Sequence, residues 1–580
     1  MPVDLPLSQF EPCILFWILS LMSVLAFNHR PTWVVVVLLT VFTAALMLPG
    51  INTSTASRQQ ELRVLLCARD MVEGGDWVIP HFMGEERLRK PPLMYWLVAG
   101  AFKLVGSTES LGAARGVSAL CAVALVISTF MFGRGILGRK AAFLGAMVLA
   151  TSLGFLYHGR LAETDLPQTL FCSLAVMFLY EAIVLRRFRG WIFAGLAVGL
   201  GFMIKGPASV AMPMAAVLSY LLLTRLKFSS QASAIQQPRK SALYFLWGAL
   251  VTLLIAGLIA APWYYAVALR TAATGDQASD EISRLLTESA HRGSIFFYFY
   301  TLPARMGVWG LALPVAVYAA WKHLRHHCGA RWLLCWLASS FAILSLLSSK
   351  QNHYALLLFV PAALLIGWLF DRAVSRINLE PTTETDAEER SLPSFYGRFA
   401  DGYLKFLFGV AGLIGLVGLI AWVGQIQMAW PWPMAIVCLL MLCLSFLVLR
   451  CSKSRPITPS ASVMVLASII ALVGGLYQTC LEKSLEGDCV VELLIMEHKA
   501  EISHSPHIAI LGDHSAMVEW YAHHRSVKSS SLQKGAFKNL HPGDVLIATA
   551  RKKHLQLNPN DPPPNAKRVH QDVEAALYVR

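Results

Sequence analysis

Apolar runs of about 20 residues, each long enough to cross a bilayer as a helix, recur along almost the whole chain. Candidate spans are 11–28, 32–50, 112–133, 141–158, 167–185, 190–204, 208–224, 244–267, 297–320, 332–348, 354–371, 404–424, 431–450 and 459–479. With no water to satisfy the backbone, such runs must be helical. Composition agrees: of 580 residues 56% are hydrophobic and 14% charged, against about 25% charged in soluble proteins. The chain reads as a mainly α, polytopic membrane protein. The first run follows an acidic start at Asp4 and has no small-residue cleavage site, so it is expected to be a retained span.

The net charge of +14 does not point to nucleic acid, because no nucleic-acid motif accompanies it. The excess lies largely in short loops between spans: Arg134, Arg139 and Lys140; Arg186, Arg187 and Arg189; Arg225, Lys227, Arg239 and Lys240; Lys322, Arg325 and Arg331; Arg450, Lys453 and Arg455. By parity these share one side, which the positive-inside rule makes cytoplasmic. The loops 51–111, 159–166 and 268–296, the turn near Lys350 and the tail from 481 then face outside.

The first of these outer loops is unusually charged and aromatic. It contains Glu61, Arg63, Arg69 and Asp70, then the run Gly75–Leu97 with Arg87, Arg89, Lys90, Pro91 and Pro92. Loops of that length are usually functional. Leu62, Leu65, Leu66 and Met71 fit one face of a helix lying on the membrane. The reading without function is an amphipathic helix with solvated charges; the functional one makes Glu61 a general base. Arg87, Arg89 and Lys90 suit a lipid phosphate, or simple attraction to anionic headgroups. The stretch 93–106 is short and carries Lys103, and is expected to be an interfacial helix.

Further polar residues punctuate later outer segments. Asp165 stands at the start of a span, where it could cap the helix or act chemically. Lys205 divides two short apolar halves, Lys350, His353 and Tyr354 precede a later span, His291 lies in the loop 268–296, and Arg305 interrupts an apolar run. Each alone is equally compatible with structure; together they suggest one anionic substrate site. The cysteines show no metal spacing, and Cys480 and Cys489 could pair if their segment is outside. No metal ligand set is assigned; His504, His507 and His514 are too weak a pattern. The tail 481–580 reads as a small α/β domain, with strands at His507–Gly512 and Asp544–Ala550, beside a transmembrane domain of 1–480. The segment 373–400 reads as a cytoplasmic linker.

At these residues the chain resembles the lipid-sugar-dependent glycosyltransferases of the protein O-mannosyltransferase and aminoarabinose-transferase superfamily, over about residues 32–371. The motifs are Glu61 and Arg63, Gly75–Asp76–Trp77, Lys90–Pro91–Pro92 with Tyr95 and Trp96, Asp165 in LAETD, Lys205–Gly206–Pro207, Pro262–Trp263–Tyr264, and Lys350–Tyr354. The resemblance implies a GT-C bundle of about 13–14 transmembrane helices, with interfacial helices in the first outer loop. It implies an inverting transfer of sugar from a polyprenyl-phosphate donor to a lipid, protein or glycan acceptor. The setting would be a bacterial inner membrane with its site toward the periplasm. Glu61 is expected as base, with Asp165 orienting the acceptor or sharing that role. Lys90 would bind phosphate with Lys350 and Arg63, and His353 and Tyr354 would position the donor; Tyr95, Lys205, His291 and Arg305 complete the expected substrate-binding set. The resemblance leaves room for a divalent metal. The family places an aspartate where this chain has Gln60, which keeps a non-catalytic homologue as an alternative. An anionic-lipid flippase is a second alternative, suggested by Arg305 and the broken span at Lys205.

Overall fold

The computed structural model describes residues 31–52, 56, 58–225, 242–270, 293–324, 327–374 and 394–423, a few positions between 439 and 446, Trp520, Tyr521 and four C-terminal strands. The expected spans 11–28 and 459–479, almost all of 431–450, most of the linker, Cys480, Cys489 and His291 lie outside the described residues.

The described chain is mainly helical: α1 (Thr32–Met47), α2 (Gln59–Gly74), α3 (Leu93–Val105), α4 (Leu111–Ile136), α5 (Arg139–Ala150), α6 (Leu153–Gly159), α7 (Asp165–Ile183), α8 (Arg189–Lys205), α9 (Ala208–Arg225), α10 (Ala242–Arg270), α11 (Phe297–Met306), α12 (Leu313–Leu324), α13 (Cys328–Leu346), α14 (Phe359–Val374) and α15 (Ser394–Val423). Short 3-10 turns precede α12 and α14. Among the described residues seven helical segments are long and apolar enough to cross a membrane, or eight if α5 and α6 form one broken span. The protein is therefore a multi-pass integral membrane protein.

Burial sorts these helices. The span containing α14 is 94% buried and forms the centre, whereas α10 is only 6% buried and turns its leucines outward. Helix α14 meets α5 at Gly145 and Gly367. A Cβ on Gly367 would fall 2.3 Å from the Gly145 nitrogen, so only small residues allow this approach.

The run 141–158, expected as one span, is bent by 62° between α5 and α6. The cause is local. Thr151 and Ser152 turn their hydroxyls back onto the carbonyls of Met147 and Val148 at 2.7 Å, a bond that competes with the helix ladder. Trp309 Nε1 donates to Thr151 Oγ1 at 3.0 Å and holds the bend. It directs α6 and the following turn, Arg160–Thr164, across the end of the bundle.

The first long loop, 51–111, forms two helices joined by a short hairpin, β1 (His81–Phe82) with β2 (Glu85–Glu86). Helix α2 ends where Gly75 adopts φ 78°, a left-handed conformation that glycine reaches without strain. Asp76 then accepts the amides of Val78 and Ile79 at 2.9 and 3.1 Å, an Asx-type turn. Burial alone would raise the Asp76 carboxyl; these two amides and Arg270 outweigh it and hold the carboxyl below its ordinary value. Trp96 Nε1 donates to the Trp77 carbonyl at 2.7 Å, and Trp263 Nε1 to that of Val78 at 2.8 Å. The GDW and PWY motifs are thus one structural lock between the loop and α10.

The four C-terminal strands, β3 (Ile508–Leu511), β4 (Val545–Thr549), β5 (Lys567–Gln571) and β6 (Ala575–Val579), form one sheet in the order β3-β4-β6-β5. The pair β3–β4 is parallel and the others antiparallel. The first two coincide with the expected strands; β5 and β6 were not apparent from sequence. The helical residues Trp520 and Tyr521 lie between β3 and β4 in sequence, as a parallel crossover requires. They pack into the core of the first loop, with Trp520 3% and Tyr521 9% exposed. That contact requires the C-terminal region and the loop 51–111 to share one side of the membrane.

Candidate active site

Two charged residues of α2, Glu61 and Arg69, are not solvated along a surface helix. Glu61 is fully buried, Arg69 nearly so, and α2 is covered on almost every side. Glu61 receives Arg115 of α4 through Nε at 2.7 Å and Nη2 at 3.0 Å, and its Oε1 also accepts the Ala162 amide at 2.9 Å. Arg115 in turn donates to the Ile51 carbonyl at 2.9 Å. A carboxylate engaged on both oxygens by a bidentate guanidinium is a structural clamp. Glu61 is therefore not arranged as the expected base; it ties α2, α4 and the 160–164 turn together.

Asp165 is arranged differently. It opens α7 and is 4% exposed. Its Oδ1 takes the ammonium of Lys205, at the C-terminus of α8, and faces His353 Nε2 at 3.5 Å. Its Oδ2 is buried without a hydrogen-bond partner among the described residues. Lys205 lies 5.0 Å from the centre of the Tyr354 ring, and Lys90 is near enough to act electrostatically on both Asp165 and His353. Five of the sequence-expected residues, Asp165, Lys205, His353, Tyr354 and Lys90, thus converge.

Three further residues complete the cluster. Glu163 is buried, pairs with Arg58 at 3.2 Å and lies 3.2 Å from His158 Nδ1. The rings of His158 and His353 are 6.2 Å apart. Sequence reasoning passed over Arg58, His158 and Glu163, although Glu163 stands two residues before Asp165 in the quoted motif. Arg115 was missed too; an arginine inside an apolar run was its signal.

Three members of the expected substrate-binding set, Lys350, Arg305 and Arg63, have other surroundings. Lys350 donates to the carbonyls of Leu344 and Ser345, so it caps the C-terminus of α13 as a basic side chain does. Arg305 ends α11 against Gly154 of α6 and makes no hydrogen bond or ion pair among the described residues. Arg63 is half-buried and bonded to Gln59 at 2.8 Å. Burial, then the neighbouring charges of Arg87 and Arg89, hold its guanidinium below the ordinary value. Tyr95 is buried beside the same arginines, and burial pushes its phenol up to about 12. This group is a second cationic surface on the first loop.

His158, Glu163 and Asp165 can bring three ligand atoms within 4.8 Å of one another. They do not fit a metal ion. Glu163 already faces Arg58, and Asp165 already faces Lys205; a dication would add charge to a site whose carboxylates are compensated. Lys205 takes the place a metal would have. Chelation with EDTA is accordingly expected to leave turnover of the purified protein unchanged, and a loss restored by a divalent ion would show that a metal displaces Lys205.

An apolar cavity of about 760 Å³ lies between α9, α11, α12 and α13, lined among others by Leu302, Pro314, Val317, Trp321 and Phe341. At one end stands Tyr298, whose hydroxyl donates to the Gln351 carbonyl at 3.1 Å, two residues before His353.

The fold is a multi-pass helical bundle that gathers acids and cations at one end, beneath a charged loop with two short helices. Residues 89–265 match the family described as dolichyl-phosphate-mannose-protein mannosyltransferase. An undecaprenyl phosphate-alpha-4-amino-4-deoxy-L-arabinose arabinosyl transferase of Erwinia tasmaniensis is 28% identical over 314 residues, 53% of this chain and 54% of that protein. The protein of the same description from Pseudomonas paraeruginosa is 30% identical over 348 residues, 59% of this chain and 60% of that one. The chain thus spans little more than half the length of the curated relatives it matches. The crystal structure of ArnT from Cupriavidus metallidurans bound to undecaprenyl phosphate superposes with a TM-score of 0.67 at 18% identity, covering 94% of this chain and 97% of that one. The apo form gives 0.64 at 17% identity, covering 97% of each. The chain has the fold of these two structures.

Proposed function

We propose that the protein transfers a sugar from a polyprenyl-phosphate donor to an acceptor at the outer face of a bacterial inner membrane, with inversion and with Asp165 as base. The observation that carries this reading is the asymmetry of Asp165. One oxygen is held by Lys205 and faces His353, while the other is buried and uncommitted. The acceptor hydroxyl donates to Oδ2, its oxygen forms the new bond to the anomeric carbon, and the bond from that carbon to the phosphate oxygen breaks. The proton passes to Asp165 and polyprenyl phosphate departs. Lys90 meets the charge developing on the phosphate, the electrostatic part of the catalysis. The arginines of the first loop add positive potential, and the apolar cavity suits the prenyl chain. The relatives named for an undecaprenyl-phosphate-linked aminoarabinose support a pentose of that kind as the sugar, with a lipid, protein or glycan as the acceptor.

The purified protein should transfer label from a radiolabelled polyprenyl-phosphate sugar to an extracted lipid acceptor; no transfer from any such donor would count against the reading. A flippase would move labelled lipid across vesicles without forming a glycosidic bond. Lys90→Ala should weaken polyprenyl-phosphate binding about tenfold or more, the loss of a charge-assisted bond of roughly 1.5–3 kcal/mol. Lys90→Arg should retain part of it, because charge is kept while geometry changes. Wild-type affinity in Lys90→Ala would remove Lys90 from the phosphate site.

A further inference from the structure

We infer that the C-terminal region is a positioning element of this site, acting through Tyr521 and Trp520 on the segment that carries Arg58. The Tyr521 hydroxyl accepts the Ala56 amide at 2.8 Å. Ala56 is fully buried and stands two residues before Arg58, whose guanidinium is the counter-charge of Glu163. Trp520 grips α2 itself. Its carbonyl takes Arg69 Nη2 at 2.8 Å, the Arg69 guanidinium lies 4.1 Å from the centre of its ring, and Phe102 of α3 stacks on it at 6.3 Å. Both aromatics share an apolar cluster with Leu62, Leu65, Ala162 and Ile204. Ala162 is the neighbour of Glu163, and Ile204 the neighbour of Lys205, so the cluster reaches the backbone beneath both ion pairs.

The physical consequence concerns Arg58. It precedes α2 in an extended conformation with φ −76° and ψ 126°, and its own side chain makes no N-cap bond. Its carbonyl accepts the Leu62 amide at 2.9 Å, so α2 holds only the side of Arg58 that faces the helix and the Ala56–Tyr521 bond holds the other. Without the Tyr521 hydroxyl, the Ala56 amide would be a buried donor lacking its acceptor, a state that costs desolvation energy. The segment relieves this by shifting toward water, which draws Arg58 from Glu163. Glu163 then stands uncompensated beside His158 and near Asp165. Tyr521 is thus a positioning residue that acts on the site from the far end of the chain, with a sequence separation of 465 residues from Ala56.

The rate part of this inference rests on the proposed transfer reaction; the coupling part does not. The test uses the full-length protein in detergent. In Tyr521→Phe, which keeps the ring, amide exchange at Ala56 and in the peptide 158–163 should rise, and kcat should fall about fivefold, the loss of one ordinary hydrogen bond. Affinity for polyprenyl phosphate should not change. Arg58→Gln combined with Tyr521→Phe should lower kcat no further than Arg58→Gln alone, because coupled sites are not additive. Asp401→Asn, in an exposed ion pair on α15, should stay near wild type in exchange and provides a folded control. Unchanged exchange in the peptide 158–163 of Tyr521→Phe would overturn the inference, as would fully additive losses in the double variant. A wild-type protein that transfers nothing would count against the proposed function alone, and the exchange data would still decide the coupling.

Discussion

Asp165→Asn is expected to lower sugar transfer by about 10²–10⁴-fold, the range by which a positioned general base contributes, with polyprenyl-phosphate binding retained. The amide keeps the size and the hydrogen-bonding reach of the carboxylate but cannot take a proton. The prediction depends on position as well as chemistry. Lys205 holds Oδ1, and His353 faces it at 3.5 Å from another helical segment, so the uncommitted Oδ2 has a fixed direction, and pre-set orientation is itself a large part of a rate enhancement. Single-turnover transfer and a direct binding assay on the same preparation separate the two effects. Full activity in Asp165→Asn would exclude this carboxylate as base. A loss of binding equal to the loss of rate would instead make Asp165 a ligand of the donor. Gln60→Asp is the informative companion. If Asp165 suffices, restoring the family's aspartate changes the rate little; a large gain would mean that the natural site lacks its base.

Most of the described spans, the two first-loop helices and two of the strands were legible in the sequence because each depends on local patterning. Leu62, Leu65, Leu66 and Met71 recur with helical spacing, and all four are buried on α2. Hydroxyls that bend a helix leave a fainter trace, which is why the break at Thr151 and Ser152 was not seen. The members of the site were mostly legible one at a time, as charges out of place in apolar surroundings. Their partners were not. Arg58 and Glu163 are 105 residues apart, and Glu61 and Arg115 are 54 apart. An ion pair of that kind carries no periodicity, so nothing in the sequence distinguishes a carboxylate sealed by a guanidinium from one left open. The expectation for Glu61 did not include its clamp for this reason: an acid beside the membrane was recognised as costly, but the arginine that compensates it lay in the next span. Lys350 was misread similarly, because a lysine after a span serves a helix C-terminus as readily as a phosphate.

The second large effect follows from that compensation. Arg115→Met should destabilise the protein by about 3–5 kcal/mol, the cost of leaving a buried charge without its partner. Glu61 has no route to water: both it and Arg115 are fully buried. Glu61→Leu alone should be damaging in the same way, since it strands the guanidinium and frees the Ala162 amide. The double variant Glu61→Leu/Arg115→Met removes both charges and should recover much of the loss, because apolar replacement of a whole buried pair is often neutral or stabilising. Thermal unfolding in detergent measures this cycle, and its coupling energy should be large because the side chains are in direct contact. Activity of the recovered double variant then separates a clamp from a base. Substantial transfer by a protein with leucine at position 61 would show that the reaction never needed the Glu61 carboxylate. If the double variant folds as well as wild type, binds polyprenyl phosphate and transfers nothing, Glu61 is the base despite Arg115, and the free oxygen of Asp165 serves the acceptor in some other way. The two outcomes differ only in chemistry, since the helices, the cavity and the Asp165–Lys205 pair are common to both.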